Sequence, residues 1–456
     1  MAPKPMGVTE AVVQFSCGMN WETIPADVME MCKLHILDTI GVLFAGSREN
    51  VAGIVREYVQ SLAGPEESTL ITQGIKTSAP YAAFGNGVMA HVLDFDDYEG
   101  FSKAHTSVVL LPAVLALGEK LRATGKECLG AYLVGVEVIS KIGKGINPSH
   151  YEKGWHSTST LGTLGAALSA SKLLKLSPEK TRMALGISGS MASGLRGNFG
   201  TMTKAFHAGH AAKSGVEAAL LASLGFTASE NILEGDVGFL NAFTEQKNYD
   251  IAKITVGLGD PFAIISPGVG KKLYPSCAAT HGFIDGIFSL IGQFDIRAED
   301  VESVDCGIFY LYPNMLIHSS PRTGLEGKFS LEFCLALALK ERKVTLEQFT
   351  DSKVQDPRII ELIKRVKKSV SEEAGGRGTR HPKSIITLRL KDGKSFSYQS
   401  ETRTGGPMKP LSSHEIRSKF LDCSQRIHSR EKTLRILEEV MNLEQMGDVS
   451  KLIELL

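Results

Sequence analysis

Residues 158–174 read "TSTLGTLGAALSASKLL", and residues 210–226 read "HAAKSGVEAALLASLGF". Apolar residues recur in both at helical spacing, and the positions between them are crowded with Gly, Ala and Ser. Small side chains let helix axes approach closely, so both stretches are predicted to be central helices of an all-α domain. A glycine-rich cofactor loop would interrupt the helical period, and the period runs through both unbroken.

The flanking sequence extends this pattern. "IPADVMEMCKLHILDTIGVLFAG" (24–46) has apolar residues at three- and four-residue spacing, and its Gly46 suits a helix stop. "AVLALGEKLRA" (113–123) and "LGAYLVGVEVISKIG" (129–143) behave alike. "PFAIISPGVGKKLYPSC" (261–277), with three prolines and two glycines, breaks the texture and marks a crossing between domains. Beyond it "VESVDCGIFYL" (301–311) alternates as a strand does, and "SIITLRLKDGKSFSYQS" (384–400) is two alternating runs about Asp-Gly, a hairpin signal. "SLEFCLALALKER" (330–342) and "PRIIELIKRV" (357–366) read as helices, and the chain is helical again from about 412. The predicted fold is mainly α. A large helical domain is formed by both chain ends (1–266 and 406–456), with an α+β lid inserted at 267–405.

The bulk composition narrows the function classes. At 456 residues the chain is long enough for two domains, and 43% hydrophobic with 22% charged residues is the balance of a globular protein. Lys plus Arg equals Asp plus Glu at 50 each, so the basic footprint of a nucleic-acid binder is missing. The seven scattered cysteines form no CxxC or zinc-like pattern, which points to thiols in a reducing compartment. There is no apolar leader segment and no membrane-length apolar run, so a cytoplasmic protein is expected.

The candidate chemistry begins at 91–107, "HVLDFDDYEGFSKAHTS", where three Asp and a Glu are bracketed by His91 and His105. Alone, such a run reads as a solvated turn at a helix end. The alternative is an active-site loop, with one carboxylate acting as a base or orienting a histidine. The spacing is not that of an EF-hand. Gly85, Gly87 and Ala90 fit GxGxxA, but without the preceding strand or the distant acid they read as close packing at a helix start. "GLRGNFGTMTK" (194–204) lacks the P-loop ending, so nucleotide binding is disfavoured. "GWHSTSTLG" places His156, and "NFGTMTKAFHAGH" places Lys204, His207 and His210, at helix starts; Lys271 and Lys272 stand in the interdomain crossing. Together these cations suit a carboxylate-rich ligand at helix N-termini.

"NGVMAHVLDFDD", the following His105, "GWHSTSTLGTLGAA", "GTMTKAFHAGHAA", "KKLYPSCAATH" and "EGKFSLEF" resemble, in order, the motifs of the MmgE/PrpD family. That family includes 2-methylcitrate dehydratase, cis-aconitate decarboxylase and iminodisuccinate epimerase. The resemblance implies a homodimer acting on a small di- or tricarboxylate in the interdomain cleft, with no metal or organic cofactor, no nucleic acid and no membrane. Carried over position by position, the catalytic candidates are Asp94, His105, His156, Lys204 and Lys272. The substrate-binding candidates are Tyr98, Lys271, Tyr274 and Cys277.

The sequence departs from the decarboxylase and dehydratase pattern in places. Tyr98 stands where many members carry Thr, Glu99-Gly100 and Thr106 replace a "DDTxHP"-like ending, and Cys277 stands where decarboxylases carry His. The wording of the remaining motifs is nearer to iminodisuccinate epimerase, so epimerisation is expected ahead of dehydration or decarboxylation. All three chemistries can begin beside a carboxylate. Lys204 and Lys272 would then stabilise enolate charge while His105 and His156 move protons. The rival from another class is a non-catalytic helical scaffold, in which those four side chains would not converge. A triad hydrolase fits poorly, since no G-x-S-x-G elbow is present.

Overall fold

The computed structural model describes residues 6–379 and 381–456. In the first part of the chain, helices α1 (Ala26–Gly46), α2 (Ala79–His91), α3 (Ser107–Leu121), α4 (Gly125–Ile146), α5 (Ser157–Leu173) and α6 (Met202–Ser223) pack on one another. Every residue of α5 except Lys172 is buried, as its composition predicts. The small residues sit at the crossings. A Cβ on Gly87 of α2 would lie 2.8 Å from Cα of Gly209 in α6, and one on Gly215 of α6 would lie 2.4 Å from the Ala166 Cβ in α5. Gly87 therefore serves close packing, within α2 rather than at its start.

After the crossing come α7 (Ala278–Phe294) and α8 (Leu331–Glu341), which cover a four-stranded sheet. Two short hairpin strands, β1 (Ser68–Leu70) and β2 (Ile75–Thr77), and the pair β3 (Tyr98–Glu99) and β4 (Val269–Gly270) precede it in strand numbering. The sheet consists of β5 (Val301–Ile308), β6 (Val366–Val370), β7 (Ser384–Leu390) and β8 (Ser395–Ser400), in the order β6-β5-β7-β8. Only the β5–β6 pair is parallel; β7 and β8 form the expected hairpin, with Gly393 at φ +88 in its turn. Phe283, Ile287, Val304, Leu335, Ile386 and Leu388 belong to one lid core. α9 (Ser413–Ser424) and α10 (Arg430–Met441) return to the helical part, where Phe420, Ile436 and Val440 share a core with Leu161, Leu164 and Leu168.

Two local expectations change. The stretch 357–366 stops being helical at Ile363, because Val366 onward pairs with β5 and tertiary pairing overrides local periodicity. The β1–β2 hairpin interrupts the otherwise helical first part at Gly74, where φ is +66. Among the described residues no helix is long and apolar enough to cross a membrane, and all seven cysteines are free.

Candidate active site

α2 ends at His91, and the chain then turns through Asp94 at φ +49, a left-handed conformation that Asp tolerates better than most residues. The turn carries the acidic run inward: Asp94, Asp96 and Asp97 are all buried. The run is not a solvated turn, because each carboxylate meets its own partner. Asp94 accepts from Lys204 Nζ at 2.7 Å and lies 3.0 Å from Lys272 Nζ. Asp96 lies 3.1 Å from His91 Nδ1 and 2.8 Å from His105 Nδ1. Asp97 accepts from the Ser107 amide at 3.1 Å, at the start of α3, and pairs with His35 Nδ1 at 2.9 Å.

Burial alone would push these carboxyls up. Lys204 and Lys272 outweigh it at Asp94 and hold that carboxyl well below its ordinary value, and the two histidines do the same for Asp96. Asp94 is thus a fixed anion rather than a ready proton acceptor. Burial pushes the Lys204 ammonium down, whereas Asp94 and Asp96 reverse that effect at Lys272 and hold it up.

Lys204 occupies the first turn of α6, where it also donates to His91 Nε2 at 2.7 Å and lies over the rings of Phe199 and Phe329. Lys272 follows β4 and is fully buried, donating to the Asp94 carbonyl at 2.8 Å. Its neighbour Lys271 turns the other way and bonds His35 Nε2 at 2.8 Å, which places it outside the cavity. Tyr274 also lies outside, donating to Asp285 at 2.8 Å.

His105 Nδ1 faces only acceptors, the Asp97 carbonyl at 2.7 Å and the Asp96 carboxylate. That nitrogen therefore carries the proton in the neutral ring, and Nε2 keeps its lone pair, 3.8 Å from Asp94. His156 precedes α5 and shares a hydrogen bond between its Nδ1 and that of His207 at 3.0 Å. Burial, then His207 and Lys204, hold the His156 imidazolium far below its usual pKa, and burial holds His207 at about 4. The His105 and His156 rings are 6.3 Å apart.

Asp94, Lys204 and the two histidines border an open cavity between the helical part and the lid, with about 770 Å³ of empty space, whereas Lys272 stands behind Asp94 and does not line it. Asp94, Tyr98, His105, His156, Lys204 and Cys277 line it. So do residues the sequence reading did not single out: Lys103, Tyr151, Phe199, Phe309, Tyr312, Met315, Phe329 and Arg403. Cys277 caps α7, and burial raises its thiol pKa. Tyr98 pairs with Gly270 across β3–β4, and a Cβ on Gly270 would meet the Tyr98 ring at 2.8 Å. A convergent set of cations, histidines and one fixed carboxylate in an interdomain cavity is the geometry of an acid–base site for anionic substrates.

Ring nitrogens of His91, His105 and His156 lie within 4.8 Å of one another, as do donor atoms of His91, Asp94, Asp96 and His105. Both His91 nitrogens are occupied, by Asp96 and by the Lys204 ammonium, and His105 Nδ1 is held by Asp97. The cluster is satisfied as a proton-bearing network, and the adjoining ammonium groups repel a divalent ion.

The MmgE/PrpD N-terminal domain matches residues 10–252, and the MmgE/PrpD C-terminal domain matches residues 274–445. The chain belongs to the MmgE/PrpD family. Cis-aconitate decarboxylase of Homo sapiens is 30% identical to this MmgE/PrpD chain, covering 98% of the chain and 94% of the relative. The Mus musculus enzyme of that name is also 30% identical (98% and 93%), and that of Aspergillus terreus 28% (99% and 96%). These relatives favour the lyase alternative over the epimerase expectation. The family is one of enzymes, which sets aside the scaffold reading of this MmgE/PrpD chain, and the four side chains that reading required to be apart converge on Asp94 and the cavity.

Proposed function

We propose that the chain is a cofactor-independent polycarboxylate lyase that decarboxylates an unsaturated tricarboxylate of the cis-aconitate type. The observation that carries this reading is the mixed lining of the cavity, in which Lys103, Lys204 and Arg403 share the surface with His105, His156 and the apolar side chains Phe199, Phe309, Met315 and Phe329. A carboxylate pressed against an apolar wall loses hydration, which favours its departure as CO2.

The bond from the departing carboxyl carbon to its methylene breaks, and its electron pair shifts through the double bond to the carbon beside a retained carboxylate. Lys204 stabilises the enolate-like charge from the cavity, and Lys272 adds its field from behind Asp94. His105 enters the step carrying a second proton on Nε2, its Nδ1–H held by Asp97 and Asp96. It delivers the Nε2 proton to that carbon and ends as the neutral ring described above, and His156 with His207 completes the proton relay. The products are CO2 and an acid with one carboxylate fewer. Tyr98 and Cys277 shape the substrate end, and Lys271 acts from beneath the site through His35 and Asp97.

A second reading, epimerisation, is favoured by two features. His105 and His156 present two proton-transfer groups to one cavity, and Cys277 stands where the family resemblance gives decarboxylases a histidine. The separating experiment offers cis-aconitate, methylcitrate and aspartate-like dicarboxylates to the protein and follows CO2, loss of hydroxyl and inversion in parallel. CO2 release from the unsaturated acid supports the first reading; inversion without CO2 supports the second. Free cysteines fit a cytoplasmic setting, and the homodimer implied by the resemblance is part of the same proposal.

A further inference from the structure

Lys204 and Lys272 share the Asp94 carboxylate, but two further cations, both lining the cavity, have no such partner. Lys103 comes from the loop after β3, and Arg403 from the segment where the chain leaves the lid. Among the described residues neither has a carboxylate oxygen within ion-pair distance. The partners of Arg403 are neutral: Nε donates to the Tyr98 hydroxyl at 2.8 Å, and one terminal nitrogen donates to the Ala278 carbonyl at 3.3 Å and the Tyr312 hydroxyl at 3.5 Å. The Tyr98 ring lies beneath the guanidinium at 4.9 Å, and Nη2 has no protein partner among the described residues. The nearby Glu99 is spent on the Phe101 and Ser102 amides, and burial holds it toward its neutral form. Arg403 and Tyr312 also border an adjoining chamber, so the guanidinium stands where the reacting cavity ends.

We propose that Arg403 and Lys103 form a carboxylate subsite that holds the end of the substrate remote from Asp94 and sets the length of the acid accepted. The assignment rests on reading the cavity as a polycarboxylate site, and it names the groups that count the second and third carboxylates. An arginine oriented by two tyrosines receives a carboxylate at little ordering cost.

The test is calorimetric titration of the full chain with propane-1,2,3-tricarboxylate, a non-reacting tricarboxylate. Arg403→Gln and Lys103→Gln are each expected to weaken binding about 10- to 100-fold, with Arg403→Lys retaining more affinity than Arg403→Gln. Tyr98→Phe, which removes only the orienting hydroxyl, shifts affinity in the same direction by less. Unchanged affinity in both glutamine variants, or no binding by the unaltered protein, overturns the subsite. His105→Gln keeps this binding while losing proton exchange. Binding without any turnover by the unaltered protein would sink the lyase reading and leave the subsite standing.

Discussion

Lys204 donates to Asp94 at 2.7 Å, and both side chains are buried. The same carboxylate lies 3.0 Å from Lys272, so one buried anion is shared by two cations. Asp94→Asn would strand two buried ammonium groups. A loss of about 3–5 kcal/mol in denaturant unfolding is expected, together with loss of turnover. Asp94→Asn combined with Lys204→Met should recover part of the stability and none of the activity.

His105 is the group whose Nδ1 is fixed by neighbours and whose Nε2 remains for chemistry. His105→Gln is expected to lower kcat by about 10²- to 10⁴-fold with substrate affinity little changed. Steady-state kinetics beside calorimetric binding separates the two effects.

Burial and the Arg403 guanidinium push the Lys103 ammonium down to about 8. Above that pH the subsite loses one positive charge, so kcat/KM should fall as pH rises through about 8. Lys103→Arg stays charged and should remove that limb of the pH profile.

Burial holds His91 and His281 at about 3 and His35 and His207 at about 4. Unfolded, these imidazoles take up protons near their ordinary value of about 6.5. Between the two values the unfolded chain binds more protons, so stability falls as the solution is acidified through this window. Melting midpoints taken downward from neutral pH should drop steadily; a flat profile would contradict the buried neutral histidines.

A Cβ on Gly209 would lie 2.3 Å from the Phe84 carbonyl oxygen. Gly209→Ala is expected to cost about 1–3 kcal/mol through overpacking. Gly53→Ala, at an exposed helical position with nothing within 4 Å, should be neutral or gain about 0.5–1 kcal/mol.

The helical domain was legible because α5 and α6 carry their packing code locally, as small residues at helical spacing. The β7–β8 hairpin was legible because Asp392-Gly393 encodes its turn. Lys272 and His156 stood in recognisable segments, yet composition alone reads a lysine as solvent-facing and "DFDD" as a solvated turn. Their burial depends on partners over a hundred residues away, such as Lys204 for Asp94. Lys271 and Lys272 are adjacent, and extended backbone sends neighbouring side chains to opposite sides; the sequence does not say which one meets Asp94 and which His35. Lys103 stood inside the quoted 91–107 stretch without a spacing that marks it, and Arg403 belongs to no local pattern. Their shared surface exists only because β3 pairs with β4 and the lid returns beside Tyr98.

The most direct measurement is turnover of cis-aconitate in heavy water, counting CO2 released against deuterium gained at the carbon beside the retained carboxylate. Decarboxylation with protonation by His105 predicts one deuterium per CO2, placed on one face, and loss of both signals in His105→Gln. Deuterium entering recovered substrate with no CO2 would contradict it.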